Sequence, residues 1–156
     1  MVTLVERALG LVTTRVTLAL VLAQVVGACL GALVANLMFD LEAVSVATRD
    51  RTGAGLWLGE VVATLGLVLV VFGSLRSARV ETVAFAVGGY IAAAYWFTSS
   101  TSFANPAVTV ARMFSDSFAG IAPSSVAMFV LMQLVGGGLG LALVRLLFSQ
   151  PERSPA

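Results

Sequence analysis

Few residues in this sequence have the type and spacing to do chemistry, and those few are suited to hydrogen bonding rather than to making or breaking bonds. Glu60 is a lone carboxylate near the start of an otherwise apolar stretch, Gly55 to Leu75. Such a charge near the centre of a membrane helix costs about 2.5–3.5 kcal/mol, so it must be paired or lie close to an interface. The stretch Thr98-Ser-Ser-Thr-Ser-Phe-Ala-Asn-Pro-Ala-Val-Thr-Val-Ala-Arg112 joins a polar run to a helix-start signal. Thr98–Ser102 reads as extended backbone. Asn105 reads as a helix cap with Pro106 at the first helical position. Gln24 and Gln133 each precede a Gly by three positions and read as interhelical hydrogen-bonding groups. There is no His and one cysteine, Cys29. Zinc sites, disulfide frameworks and most acid–base chemistry are therefore excluded. With no nucleophile–base pair and no cofactor loop, the expectation is no enzyme, no cofactor and no metal.

The elements that must position these residues are membrane helices. Apolar residues make up 59% of the 156, charged residues only 11%, and the mean hydropathy is +1.01. Soluble domains run near 45–50% apolar and about 25% charged, so a water-facing surface cannot be built here. A net charge of +1 leaves no electrostatic case for nucleic acid. A span needs about 20 apolar residues. Four stretches qualify, at about 16–39, 56–75, 81–98 and 123–148, with a polar loop from Asp40 to Gly55 and a tight turn from Arg76 to Arg79. Ser149 to Ala156 reads as a disordered cytoplasmic tail. A helix starting at Pro106 can hold only about two turns, to about residue 114, before Ser115-Asp116-Ser117 breaks it. Lying between two spans, it is expected to be re-entrant, which is tolerated only inside protein or along a water-filled cavity. Arg7, Arg15, Arg76, Arg79, Arg145 and Arg153 fall on one side of the four spans, Arg49 and Arg51 on the other. That bias puts both termini in the cytoplasm. Trp57, Tyr95 and Trp96 fall near span ends, as an interfacial belt would place them.

The chain also repeats itself. Leu22–Phe39 reads LAQVVGACLGALVANLMF and Leu131–Phe148 reads LMQLVGGGLGLALVRLLF, identical at eight of eighteen positions. Gln24 pairs with Gln133, Gly27 with Gly136, and Gly31 with Gly140. MVTLVE at the start corresponds to AVTVAR at Ala107–Arg112. The two copies cross the membrane in opposite senses, an inverted repeat that places a substrate path near the midplane. The glycine spacings read as close helix packing. By this register Val2–Leu9 is a remnant half-helix, and the chain is expected to begin inside its own first repeat.

SFANPAVTVAR, with the Glu60 span before it and a Gln-Xaa-Xaa-Gly helix after it, resembles the second half of a major intrinsic protein, the aquaporin and glycerol-channel family. The resemblance covers nearly the whole chain and implies an all-α membrane fold with the family's first two helices missing. It implies that Asn105, Pro106 and Ala107 form one of two motifs meeting end to end at the membrane centre. Asn105 would donate its amide to passing solute, backed by the half-helix dipole. Glu60 would receive backbone N–H groups of the re-entrant loop. Carbonyls at Thr101, Ser102 and Phe103 would line the outer half of a pore, and Ala93, Ser102 and Val108 would form its constriction.

Val108 departs from the family pattern, which has Arg there; without it the constriction loses its strongest donor and its cation barrier. Arg112 lies one turn further along and is not expected to replace it. With Ala93 small as well, the filter reads as wide and apolar, favouring glycerol-like polyols or neutral metalloid hydroxides over water alone. The family implies a homotetramer in the cell membrane. The alternative is a nonconducting fragment or accessory subunit that packs through its glycine faces.

Overall fold

The computed structural model describes residues 1–76 and 80–148. It contains α1 (Val2–Ala8), α2 (Thr14–Met38), α3 (Ala54–Arg76), α4 (Val83–Phe97), α5 (Pro106–Ala111) and α6 (Pro123–Leu147), with no strand among the described residues. Leu, Val and Ala surround α2, α3 and α6 on all sides rather than forming an apolar stripe. That pattern suits lipid, where a helix satisfies its own backbone groups.

These three helices are long and apolar enough to cross a membrane. The stretch at 81–98 is shorter than expected for a fourth span. Val80–Thr82 forms a 3-10 turn, leaving α4 with 15 residues. At 1.5 Å per residue it reaches about 22 Å, against roughly 30 Å of hydrocarbon. The tail and the turn after Arg76 fall outside the described residues.

Local chemistry fixes several helix ends. Thr13 caps α2, its side chain accepting from Val16 N–H. After α1 the chain turns through Gly10 at φ +77°, with Leu11 N–H donating to Glu6 O at 2.9 Å and Gly10 N–H to Arg7 O at 3.1 Å. The same Schellman closure ends α2, with Asp40 at φ +56° and Leu41 N–H donating to Asn36 O at 2.9 Å. The loop that follows is laid across residues 112–122. Ala47 N–H donates to Met113 O, Ala122 N–H to Arg49 O, and buried Asn36 donates its amide to Phe114 O at 2.8 Å.

The core lies between α3 and α6, where Ala63, Leu67, Val68, Val71, Phe72 and Val144 pack with Val5 of α1 and Ala104 of the 98–105 loop. Two glycines allow this closeness. A Cβ on Gly136 would stand 2.5 Å from Val61 O, and one on Gly140 would stand 2.8 Å from Val68 Cβ. Their repeat partners differ. Gly27 and Gly31 have nothing within 4 Å of where a Cβ would sit, so no described residue packs closely against them. The reason is tertiary: α6 lies against α3, whereas no described helix takes the corresponding place beside α2. The half-helices respect the repeat better, α1 packing on α2 and α6, and α5 on α6 and α2.

Candidate functional site

The loop between α4 and α5 is held from beneath by Glu60, which is wholly buried in α3. Phe103 N–H donates to Oε1 at 2.9 Å, Ala104 N–H to Oε2 at 3.0 Å, and Gln133 Nε2 to Oε2 at 2.6 Å. Three donors on one acceptor-only group offset the cost of its burial. Of the Thr98–Ser102 run expected to be extended, Thr98 is so, at φ −98° and ψ 141°, but the rest of the loop is not. Thr101, Ser102 and Ala104 all take left-handed backbone, at φ 62°, 50° and 50°. Three non-glycine residues in that region carry strain of order 1–3 kcal/mol each, sustained only where surrounding contacts dictate it.

Arg51 supplies much of that dictation, and counting charges for orientation did not reveal it. Its side chain, 2% exposed, donates from Nε to Gly120 O at 2.7 Å, from Nη1 to Ser100 O at 2.9 Å and from Nη2 to Phe118 O at 3.1 Å. It also lies 4.7 Å from the centre of the Phe103 ring. Burial, and next the like charge of Arg49, pull its proton affinity below the ordinary arginine value. No local signal marks this residue, because its partners lie 49 to 69 positions away. Trp57, expected at the membrane interface, packs beside Phe103, Ile121 and Phe129, with its Nε1 buried.

Asn105 caps α5, its Oδ1 accepting from Ala107 N–H at 3.0 Å, with Pro106 at the first helical position. The acceptor end of the amide is therefore engaged by the helix, while Nδ2 makes no hydrogen bond to a described residue. Met1, at the start of α1, lines a small cavity together with Asn105, Pro106 and Ala107, so the N-terminal ends of the two half-helices approach one another. Each half-helix is tied to its neighbour by a glutamine. Gln133 Nε2 donates to Thr109 Oγ1 at 2.8 Å, and Gln24 Nε2 to Thr3 Oγ1 at 2.9 Å. Thr109 in turn donates to Asn105 O at 3.1 Å.

A cavity of about 390 Å³ lies beside Asn105, lined by Thr101, Ser102, Phe103 and Val108 together with Leu67, Tyr95 and Arg112. Ser102 and Val108 thus share a cavity with the motif. Ala93 does not. It is exposed, and α4 presents Val87, Ile91 and Tyr95 to the cavity instead. These recur every four residues on one stripe, whereas residue 93 lies about 200° around the helix from 91. Counting back from Asn105 reaches the side of α4 that faces away from this cavity.

Among known proteins, the profile of the major intrinsic protein family matches residues 74–156, just over half of the chain. The chain belongs to the major intrinsic protein family. It is 48% identical over 152 residues, 97% of its length, to aquaglyceroporin AqpS of Rhizobium meliloti (strain 1021). It spans 64% of that relative's length. No solved structure matches it. For a major intrinsic protein, the all-helical architecture and apolar spans described above are the membrane-embedded form of the family fold.

Proposed function

We propose that this chain supplies the Asn105 half of a passive membrane pore for small neutral solutes: water, glycerol-like polyols or neutral metalloid hydroxides. The observation that carries this reading is the Asn105 amide. Its oxygen is engaged as the α5 cap, which orients the amide and leaves the NH₂ group as a donor at the end of a half-helix beside a cavity. A pore that strips water from a polar solute needs fixed donors of this kind. The aquaglyceroporin relative and Val108 in the wall both favour polyols over water alone. The arginine bias puts both termini in the cytoplasm, the membrane is that of the cell, and family resemblance points to a homotetramer. Nothing in the reading calls for catalysis.

Asn105→Asp in proteoliposomes tests it. Asp is as good a cap as Asn, so the half-helix survives, but the donor becomes a charged acceptor. Glycerol-driven swelling is expected to fall by about tenfold, the effect of one lost donor at a desolvated site. Unchanged permeability would sink the reading. A second reading, a nonconducting accessory subunit, is favoured by one feature: the open face of α2 at Gly27 and Gly31. Under it, the purified chain folds and associates through that face yet passes no solute.

A further inference from the structure

Arginines from three helices meet at the turn that joins α1 to α2 through left-handed Gly10, and none of them lines the cavity beside Asn105. Arg7, in the last turn of α1, donates from Nε to Thr14 Oγ1 at 3.1 Å. Arg15 stands exposed in the first turn of α2. Arg145 reaches across from the last turn of α6, its Nη2 donating to Ala8 O at 2.9 Å. Both acceptors are neutral oxygens, so neither bond cancels a charge. Over residues 6–15 together with Arg145, the sequence sets three arginines against one carboxylate, Glu6. Arg15 is also opposed by its own helix. The first turn of α2 holds no acidic residue, and a cation there faces the positive end of the helix dipole.

Depth in the membrane says what kind of anion this turn meets. α2 and α6 have 25 residues each, about 37 Å at 1.5 Å per residue, against roughly 30 Å of hydrocarbon. Arg15 is the second residue of α2, and Arg145 is followed in α6 only by Leu146 and Leu147. Both therefore stand where the helices pass from hydrocarbon to headgroups. At the same level the turn presents Leu11, 63% exposed. Cations at phosphate depth beside an outward apolar side chain match a lipid, which offers a phosphate and an acyl chain together. A water-soluble anion has no use for Leu11.

We infer that this turn is a docking site for the headgroup of an anionic phospholipid, in the leaflet on the side of the chain termini. Arg7 and Arg15 take the phosphate oxygens through charge-assisted hydrogen bonds, which suit the planar guanidinium fork. Arg145 holds Ala8 in place and adds positive charge, and Leu11 packs on the first carbons of the acyl chains. Because Arg7 and Arg15 belong to different helices, the bound lipid fastens half-helix α1 to the start of α2. The site stands or falls without the pore reading.

Native mass spectrometry of the full chain in detergent tests this, by titration with phosphatidylglycerol and with phosphatidylcholine. Phosphatidylglycerol is expected to bind more tightly. Arg15→Gln alters an exposed side chain, so the fold survives, and should weaken phosphatidylglycerol binding about fivefold, the share of one cation near the membrane surface. Arg49→Gln removes the same charge from the loop at the far end of α2 and should leave binding unchanged. Leu11→Ser should also weaken it about fivefold through lost apolar contact. Equal binding of the two lipids, an unaffected Arg15→Gln, or an equal loss in Arg49→Gln overturns the site. Displacement of the lipid by inorganic phosphate, or a silent Leu11→Ser, overturns the lipid as its occupant.

Discussion

Gln24 and Gln133 hold equivalent posts in the two halves of the molecule, each donating its side-chain amide to a threonine on a half-helix. The bonds are 2.9 Å to Thr3 and 2.8 Å to Thr109, across separations of 21 and 24 residues. The same contact survives a three-residue difference in the connector, so it belongs to the repeat rather than to either loop. The halves differ in what the second amide hydrogen does. Gln133 also donates to Glu60, whereas Gln24 has no carboxylate partner among the described residues.

That asymmetry ranks two substitutions. Gln133→Leu strands a buried carboxylate and a buried hydroxyl, each missing one donor. The cost should reach about 1–3 kcal/mol, and Gln24→Leu, at a part-buried bond, about 0.5–1.5 kcal/mol. Thermal unfolding in detergent would show the order, and equal shifts would contradict it.

Glu60→Gln keeps the shape of the side chain but removes its charge and turns one acceptor into a donor. One of the Phe103 and Ala104 N–H groups, or Gln133, then faces a like donor. A loss of about 1.5–3 kcal/mol is expected, read as a lower unfolding temperature and faster proteolysis of the 98–105 loop. A silent substitution would mean that the loop holds its shape without the carboxylate.

Arg51→Lys should behave nearly as badly as Arg51→Ala. One ammonium cannot reach Gly120 O, Ser100 O and Phe118 O together, because those acceptors fit a planar fork. Two or more lost bonds to a charged donor correspond to about 3 kcal/mol or more. Recovery of wild-type stability by lysine would show that charge alone, not the fork, matters here.

Gly136→Ala and Gly27→Ala test the glycine stripes against each other. The first pushes a methyl into Val61 O, a backbone atom of α3 that cannot step aside, and should cost about 1–3 kcal/mol. The second meets open space and should be neutral or slightly stabilising through helix propensity. Destabilisation by Gly27→Ala in the membrane would reveal another polypeptide seated on that face of α2.

Helix identity, the re-entrant turn at Asn105-Pro106 and the repeat were all legible from neighbouring residues. Capping, proline placement and apolar length are local properties, and a repeated fold repeats its spacing. The pairing of Gln24 with Gln133 could be read for the same reason.

What stayed hidden depends on which helices lie side by side. Arg51 looked like a loop charge until the chain brought three distant carbonyls to it. Ala93 and Tyr95 could not be ranked, because left-handed turns at Thr101 and Ser102 break any count of residues back from Asn105. Gly27 and Gly136 have one sequence signature, yet among the described residues only Gly136 has a helix against it. The sequence alone determined that this chain is a set of apolar helices with a re-entrant Asn105 turn, since backbone groups in lipid must bond locally. Only the tertiary structure decided which side chains meet, because burial and long-range hydrogen bonding depend on neighbours that no local pattern encodes.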